Sequence, residues 1–265
     1  MTLQLADIGV NLSDQAFDLD RDEVITRAVE AGVTTMILTG TSLEESQQVL
    51  NLANHYAEYC YSTAGIHPHH AKDVQNTTMA ELKSLLMEKK VVAIGETGLD
   101  FNRDFSPRPV QEKVFEQHIE LAIETGMPLF CHERDASERF VEMIKGCRDQ
   151  LSRLVVHCFT AEKKALYRYL DLDCHIGITG WICDERRGTH LHPLVKDIPS
   201  DRLMIETDAP WLLPRTLTSK PKSRRNEPAF LVEVVKEISV HTGKKETVIA
   251  KETLATALEF FNIHQ

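Results

Sequence analysis

The sequence predicts an α/β fold: a closed (β/α)8 TIM barrel of eight parallel strands with a metal site at the C-terminal rim of the strands. Three observations predict it. Eight short apolar runs alternate with helical patterns across 265 residues, the count and length of that barrel. Helices stop at glycines, Gly32 and Gly126, just before an apolar run opens. Side chains able to ligate metal stand where apolar runs end, at Glu96, His132, His157 and Asp208, and strand ends are where such a barrel carries its chemistry. An open doubly wound sheet is the competitor, but no glycine-rich phosphate loop follows the first strand. No linker or low-complexity stretch interrupts 1–265, so a single barrel domain is expected.

In chain order, 3–12 reads as the first strand, and 18–31 as a helix with Val24, Ile25, Ala28 and Val29 at helical spacing. Strand 34–40 and helix 43–56 follow, then strand 61–67 and helix 77–87. Strand four, 91–96, is a continuous apolar run ending in Glu96, with Gly95 and Gly98 around the carboxylate. Helix 110–124 leads to strand five, 128–132, which ends in His132; helix 137–144 leads to strand six, 153–157, which ends in His157. Helix 162–170, strand seven at 174–180 and strand eight at 202–208 follow, and helices 229–241 and 246–261 finish the chain. Glu96, His132, His157 and Asp208 therefore come from strands four, five, six and eight.

With 42% hydrophobic residues the chain can bury a large core. It contains no apolar run of about 18 residues and no basic start followed by an apolar signal core, so a soluble, cytoplasmic monomer with no membrane partner is expected. Six cysteines without a C-x-x-C pair read as reduced core thiols. A net charge of −10 argues against coating nucleic acid through a basic surface. One local exception is 209–226, which lacks any acid while Arg215, Lys220, Lys222, Arg224 and Arg225 accumulate. An anionic ligand is expected there.

Two imidazoles and two carboxylates converging on a barrel mouth make a mixed nitrogen and oxygen set suited to Zn²⁺, Mn²⁺ or a similar divalent ion. Any one of these histidines alone reads as a hydrogen-bonded core residue; four ligands at corresponding strand ends argue for a site. Asp208 is expected to serve as both metal ligand and general base. Glu206, two residues earlier on the same face, is expected one layer deeper as a buried support. His67 either ligates metal, holds a substrate phosphate, or only precedes the turn at Pro68. His69 and His70 are expected to face solvent, and His118, His175, His190, His192, His241 and His264 are assigned no chemistry. Arg134, Arg224 and Arg225 are candidate phosphate clamps, and Phe101, Phe159, Trp181 and Trp211 are candidate base-stacking platforms, with packing under loops as the equal alternative.

Seven segments together resemble the TatD family of metal-dependent deoxyribonucleases: Gly65-Ile-His-Pro68, Ala93-Ile-Gly-Glu-Thr-Gly-Leu-Asp100, His132-Glu-Arg-Asp-Ala136, His157-Cys-Phe-Thr160, Ile176-Gly-Ile-Thr-Gly180, Ile205-Glu-Thr-Asp-Ala-Pro210 and Arg225-Asn-Glu-Pro228. The resemblance covers nearly the whole chain and implies hydrolysis of DNA phosphodiesters, by 3′ to 5′ trimming of single strands, with Mg²⁺ or another divalent ion. RNA is a second substrate to be expected, and DNA repair or degradation a role. The family's motif glutamate, two histidines and aspartate fall on Glu96, His132, His157 and Asp208, with Glu96 and Asp208 as the catalytic carboxylates. Two departures stand out. Where the family usually carries Asp-x-His-x-His after strand one, this chain has Asp7-Ile-Gly9-Val-Asn11, so a second ion is offered at most the Asn11 amide; one tight ion, with a second recruited weakly or by substrate phosphate, is expected. Ala161 replaces a glycine frequent in the family. Two alternatives use much the same residues: a metal hydrolase of another ester or amide, such as a D-aminoacyl-tRNA deacylase, and a non-catalytic nucleic-acid-binding barrel.

Overall fold

The computed structural model describes residues 3–264; Met1, Thr2 and Gln265, included in the expected 1–265 domain, lie outside the described residues. Eight parallel strands form one sheet in chain order: β1 (Leu5–Val10), β2 (Val33–Leu38), β3 (Cys60–Ala64), β4 (Val91–Asp100), β5 (Leu129–Arg134), β6 (Leu154–Val156), β7 (His175–Ile178) and β8 (Leu203–Ile205). Parallel strands covered on both faces must be apolar throughout rather than alternating, and β1 and β6 are buried along their whole length. The seam between last and first strand is closed by a parallel bridge from Val10 to Ala209. Asn11 N donates to Ala209 O at 2.8 Å and Asp208 N to Gly9 O at 2.9 Å. The expected TIM barrel is the observed fold.

Helices α1 (Arg21–Glu30), α2 (Leu43–His55), α3 (Thr78–Leu85), α4 (Arg108–Thr125), α5 (Ser137–Lys145) and α6 (Lys163–Asp171) alternate with the strands. A short α7 (Leu191–Leu194) precedes β8, and α8 (Leu231–Thr242) and α9 (Glu246–Phe260) follow it. One apolar layer lies between strands and helices, holding residues such as Met36, Val114, Phe115 and Phe140. A second fills the barrel itself: Ile8, Ile37, Ala93, Phe130, Val155 and Met204 pack with Ala257 and Phe260 of α9. Phe260 also meets His175, the first residue of β7, with ring centroids 4.8 Å apart. Helix α9 therefore plugs the end where strands begin and leaves the end where they finish open for a site.

All eight expected strands and all eight expected helices are present, and most differences sit at strand ends. β4 continues to Asp100 instead of stopping at Glu96. Gly95 and Gly98 do not turn the chain away there; they let β4 lie against β5. Each has a positive φ, and a Cβ would fall 2.2 Å from Phe130 O at Gly95 and 2.0 Å from His132 O at Gly98, contacts only glycine avoids. β3 ends at Ala64, so His67 is the N-cap of a 3-10 turn, Pro68–Asp73. Helix α7 was not expected; a four-residue helix is too short to show a period.

Candidate active site

The open end of the barrel holds a cleft of about 640 Å³ whose floor includes Glu96, His132, His157 and Asp208. Three imidazoles converge on a single carboxylate oxygen. Glu96 Oε1 lies 2.7 Å from His157 Nε2, 2.9 Å from His132 Nδ1 and 3.3 Å from His67 Nε2. Glu96 is delivered by β4, His132 by β5 and His157 by the residue after β6, and neighbouring strands place these ends side by side. Burial raises the Glu96 carboxyl, but His157, His67 and His132 together hold it well below its ordinary range.

Each ring is fixed by what its second nitrogen meets. His157 Nδ1 lies 3.3 Å from Glu206 Oε2, so carboxylates face both of its nitrogens. Burial opposes a charge on this ring, yet Glu96 and Glu206 raise its pKa well above the usual value. His132 Nε2 lies 3.3 Å from Asp100 Oδ2 without the angle of a hydrogen bond, and remains a buried nitrogen lacking a partner. His67 Nδ1 accepts the His69 N–H at 3.1 Å. A backbone N–H can only donate, so the neutral ring carries its proton on Nε2. Burial, stronger than the pull of Glu96, lowers His67 to about 4 and keeps it neutral at pH 7.

These residues fit a divalent ion. His67, Glu96 and His132 each offer a ligand atom within 4.8 Å of the others, and the narrow gap between Glu96 Oε1 and His157 Nε2 demands a positive charge, a proton or a metal. Nitrogen and carboxylate oxygen together are the donor set of Zn²⁺ and Mn²⁺ and tolerate Mg²⁺.

Asp208 lies on the same floor but is held from another side. Its Oδ1 accepts the Asn11 amide N–H at 3.0 Å. Burial pushes its carboxyl up to about 7 against the pull of His157, with Glu206 and Glu96 adding to the rise. Glu206 occupies the deeper layer expected of it: fully buried, it accepts the Cys158 N–H and faces His157. Gly9 and Gly177 make the room. A Cβ on Gly9 would lie 2.4 Å from Glu206 Oε2, and one on Gly177 2.6 Å from Oε1. The absence of a side chain at Gly9 is thus matched by a carboxylate that fills the space.

Arg134 and Asn11 line the cleft. Arg134 lies over the Trp181 ring, 5.4 Å from its centroid, and Arg187 lies over the same ring at 4.3 Å. Trp211, 53% exposed, stands on the cleft wall. The other two expected stacking rings do not: Phe159 is buried in the core, and Phe101 packs partly buried beneath Arg108.

The two arginines of the basic loop are placed elsewhere. Arg225 is a brace, paired with Asp20 at 2.7 Å and with Glu227 at 2.7 Å, tying the segment before α8 to α1. Both terminal nitrogens of its guanidinium are engaged in this brace, while Nε is buried without a hydrogen-bond partner. Arg224 is exposed and is not among the residues lining the cleft.

Sequence reasoning missed two groups. His69 was expected to face solvent; it lines the cleft, with Nε2 2.7 Å from Asp100 Oδ2. Asp100 itself accepts the N–H groups of Asn102 and Arg103 on Oδ1, and despite burial His132 and His69 depress its pKa. A signal existed: positions 96, 98 and 100 share one face of a strand, had that strand been carried past the glycines.

The comparisons with known proteins agree with this geometry. The model of the family described as TatD related DNase matches residues 6–262. The "3'-5' ssDNA/RNA exonuclease TatD" of Erwinia tasmaniensis is 49% identical over 257 residues, covering 97% of this chain and 99% of that protein. The protein of the same name from Salmonella typhimurium is 46% identical, covering 97% and 98%. Among solved structures, the TatD homologue YJJV from Escherichia coli superposes with a TM-score of 0.89 at 26% identity over the full length of both chains. A TatD family hydrolase from Entamoeba histolytica superposes with a TM-score of 0.87 at 25% identity, covering 98% of each chain. With the barrel, the histidine-carboxylate floor and a family match spanning nearly every residue in accord, the chain belongs to the TatD-related DNase family.

Proposed function

We propose that this chain is a metal-dependent nuclease, one hydrolase domain that trims single-stranded DNA and RNA from the 3′ end. The observation that carries the reading is the convergence of His67, His132 and His157 on Glu96 Oε1 beneath a cleft whose wall carries arginine and tryptophan. Its relatives named 3'-5' ssDNA/RNA exonucleases supply the polarity and the choice of strand. Glu96, His132, His157 and Asp208 would hold the ion, which supplies positive charge to offset the phosphodiester oxygens and makes the attacking water more acidic.

The chain's own residues do the rest. Asp208, one oxygen held by Asn11, would keep the other for the water's proton. His67, whose Nε2–H faces Glu96 Oε1 at 3.3 Å, would hold a substrate phosphate only by turning that donor from the carboxylate to the incoming oxygen. Arg134 has no carboxylate ion-pair partner among the described residues and is already oriented by Trp181, so it pairs with a phosphate. Bases stack on Trp181 and Trp211, each contributing about 1 to 3 kcal/mol. Glu206 fills the space at Gly9, which supports a single tight ion over a matched pair. Mg²⁺ is the ion the family resemblance implies, and the two nitrogen ligands equally suit Zn²⁺ or Mn²⁺. We place the protein in the cytoplasm as a monomer acting in DNA turnover or repair; among the described residues no helix is long and apolar enough to cross a membrane.

The test is digestion of a 5′-labelled single-stranded oligonucleotide by protein loaded in turn with Mg²⁺, Mn²⁺ and Zn²⁺. A ladder shortening from the 3′ end, abolished by chelation, is the expected result. Intact DNA and RNA under all three ions, with cleavage of a D-aminoacyl-tRNA ester, would replace this reading with the deacylase.

A further inference from the structure

On the helix layer, away from the cleft residues, α8 carries Glu237 and His241 one turn apart and α7 carries His192. The imidazoles of His192 and His241 stack, with centroids 3.7 Å apart and planes 16° from parallel. Both Nε2 atoms lie near one oxygen: Glu237 Oε1 is 2.9 Å from His241 Nε2 and 3.8 Å from His192 Nε2, which is hydrogen-bonded to the Ile182 carbonyl. The simplest account is a carboxylate with a hydrogen-bonded histidine on the same helix.

Two features ask for more. Among the described residues these imidazoles are the only ion-pair partners of Glu237, because the neighbouring Lys236 turns to Glu233 at 2.6 Å. The carboxylate therefore faces no permanent cation. A divalent ion shared by the carboxylate and both imidazoles would supply a lasting counter-charge there.

The spacing suits one. The three ligand atoms lie within 4.8 Å of one another. Separations of 2.9 and 3.8 Å bracket the roughly 3.4 Å between ligands of a tetrahedral ion with bonds of about 2.0–2.1 Å. The side chains are 24%, 20% and 23% exposed for His192, Glu237 and His241, shielded enough to be ordered and open enough for an ion to enter.

We propose that His192, Glu237 and His241 form a second metal site, for Zn²⁺ or an ion of similar preference, between α7 and α8 and independent of the cleft. Binding there moves protons within the rings. His241 now donates Nε2–H to Glu237, and His192 donates Nε2–H to the Ile182 carbonyl at 3.0 Å. Each ring shifts that proton to Nδ1, so that its Nε2 lone pair can face the ion, and the two rings must swing out of their near-parallel stack until both planes meet at the metal. The bond to Ile182 is given up, and a fourth position is left to water. Two imidazoles and one carboxylate select against Mg²⁺ and Ca²⁺, which prefer oxygen alone.

The experiment uses the full chain, stripped by a chelator, re-equilibrated with micromolar Zn²⁺, separated from free ion and analysed for metal. Wild type, His241→Gln, Glu96→Ala and the double variant are compared. The expected result is one fewer Zn²⁺ in His241→Gln than in wild type, with an additive loss in the double variant, and a Zn²⁺-dependent rise in melting temperature reduced in His241→Gln. His192→Gln, which retains a donor for the Ile182 carbonyl, covers the case that His241→Gln does not fold, and it too should lack one ion. Equal zinc content in wild type and the folded histidine variants would overturn the proposal, whatever substrate the cleft takes.

Discussion

Glu206 stands behind His157, with its Oε2 3.3 Å from Nδ1, and so governs which nitrogen of that ring is free to meet an ion. A histidine ligand whose second nitrogen is held by a carboxylate is both oriented and made more basic. Glu206→Gln keeps the volume between Gly9 and Gly177 but removes the charge. Metal affinity should fall by about 10- to 100-fold with the fold intact, which a metal titration followed by circular dichroism would read. Unchanged affinity would reduce Glu206 to a space filler.

Glu96 is shared by three imidazoles, so its removal affects all of them at once. Glu96→Ala should abolish metal retention in the cleft and lower hydrolysis by about 10³-fold or more. Elemental analysis beside an oligonucleotide assay measures both. Normal cleft metal in that variant would refute the arrangement.

The Trp211 side chain is exposed on the cleft wall, and the residue meets the ligand set through its backbone N–H, which donates to the Asp208 carbonyl at 2.9 Å. Trp211→Ala should raise KM for single-stranded DNA by about 5- to 150-fold, the equivalent of 1 to 3 kcal/mol of stacking, with a smaller change in kcat. A loss confined to kcat would assign the ring a different task.

Arg134 and Arg225 separate recognition from stability. Arg225→Ala breaks a partly buried network with Asp20 and Glu227 and should cost about 2 kcal/mol of stability after allowance for solvent screening, leaving KM near wild type. Arg134→Ala should do the reverse. Thermal melts and steady-state kinetics on the two variants would distinguish them, and a matching profile for both would sink the distinction.

Asp7 is buried at the barrel seam, where its carboxylate accepts the Thr207 and Gly9 N–H groups. Burial is the main cause that raises its pKa from 3.8 to about 8. Between those values the folded chain keeps a proton that the unfolded chain has released. The contribution is therefore fully present below about 4 and is lost as pH rises to about 8, at up to about 1.4 kcal/mol per unit. Asp7→Asn cannot ionise and preserves the acceptor, so its melting temperature should vary less between pH 5 and pH 8 than that of wild type. Parallel slopes would show that Asp7 does not titrate in this range.

The alternation of apolar runs and helical patterns made the barrel legible, because burial on both faces leaves strands with little else to be. Glu96, His132 and His157 were legible because ligand side chains at strand ends have few other reasons to recur. What escaped depends on through-space pairing. His69 looked like a surface residue until β4 proved long enough to bring Asp100 beneath it. Arg225 looked like a free cation because Asp20 is distant in the chain and Glu227 falls just past the acid-free stretch. His192 and His241 showed no period linking them, since only packing of α7 on α8 makes them neighbours.

The seam between β8 and β1 joins construction to activity. Asp208 reaches its place through its N–H bond to Gly9 O and its carboxylate bond to Asn11, so the base and its holder come from opposite ends of the chain. During synthesis the three imidazoles and Glu96 emerge well before residue 208. The imidazoles and Glu96 are all supplied by position 157 of the chain, whereas the carboxylate proposed as base is seated only where the last strand closes on the first.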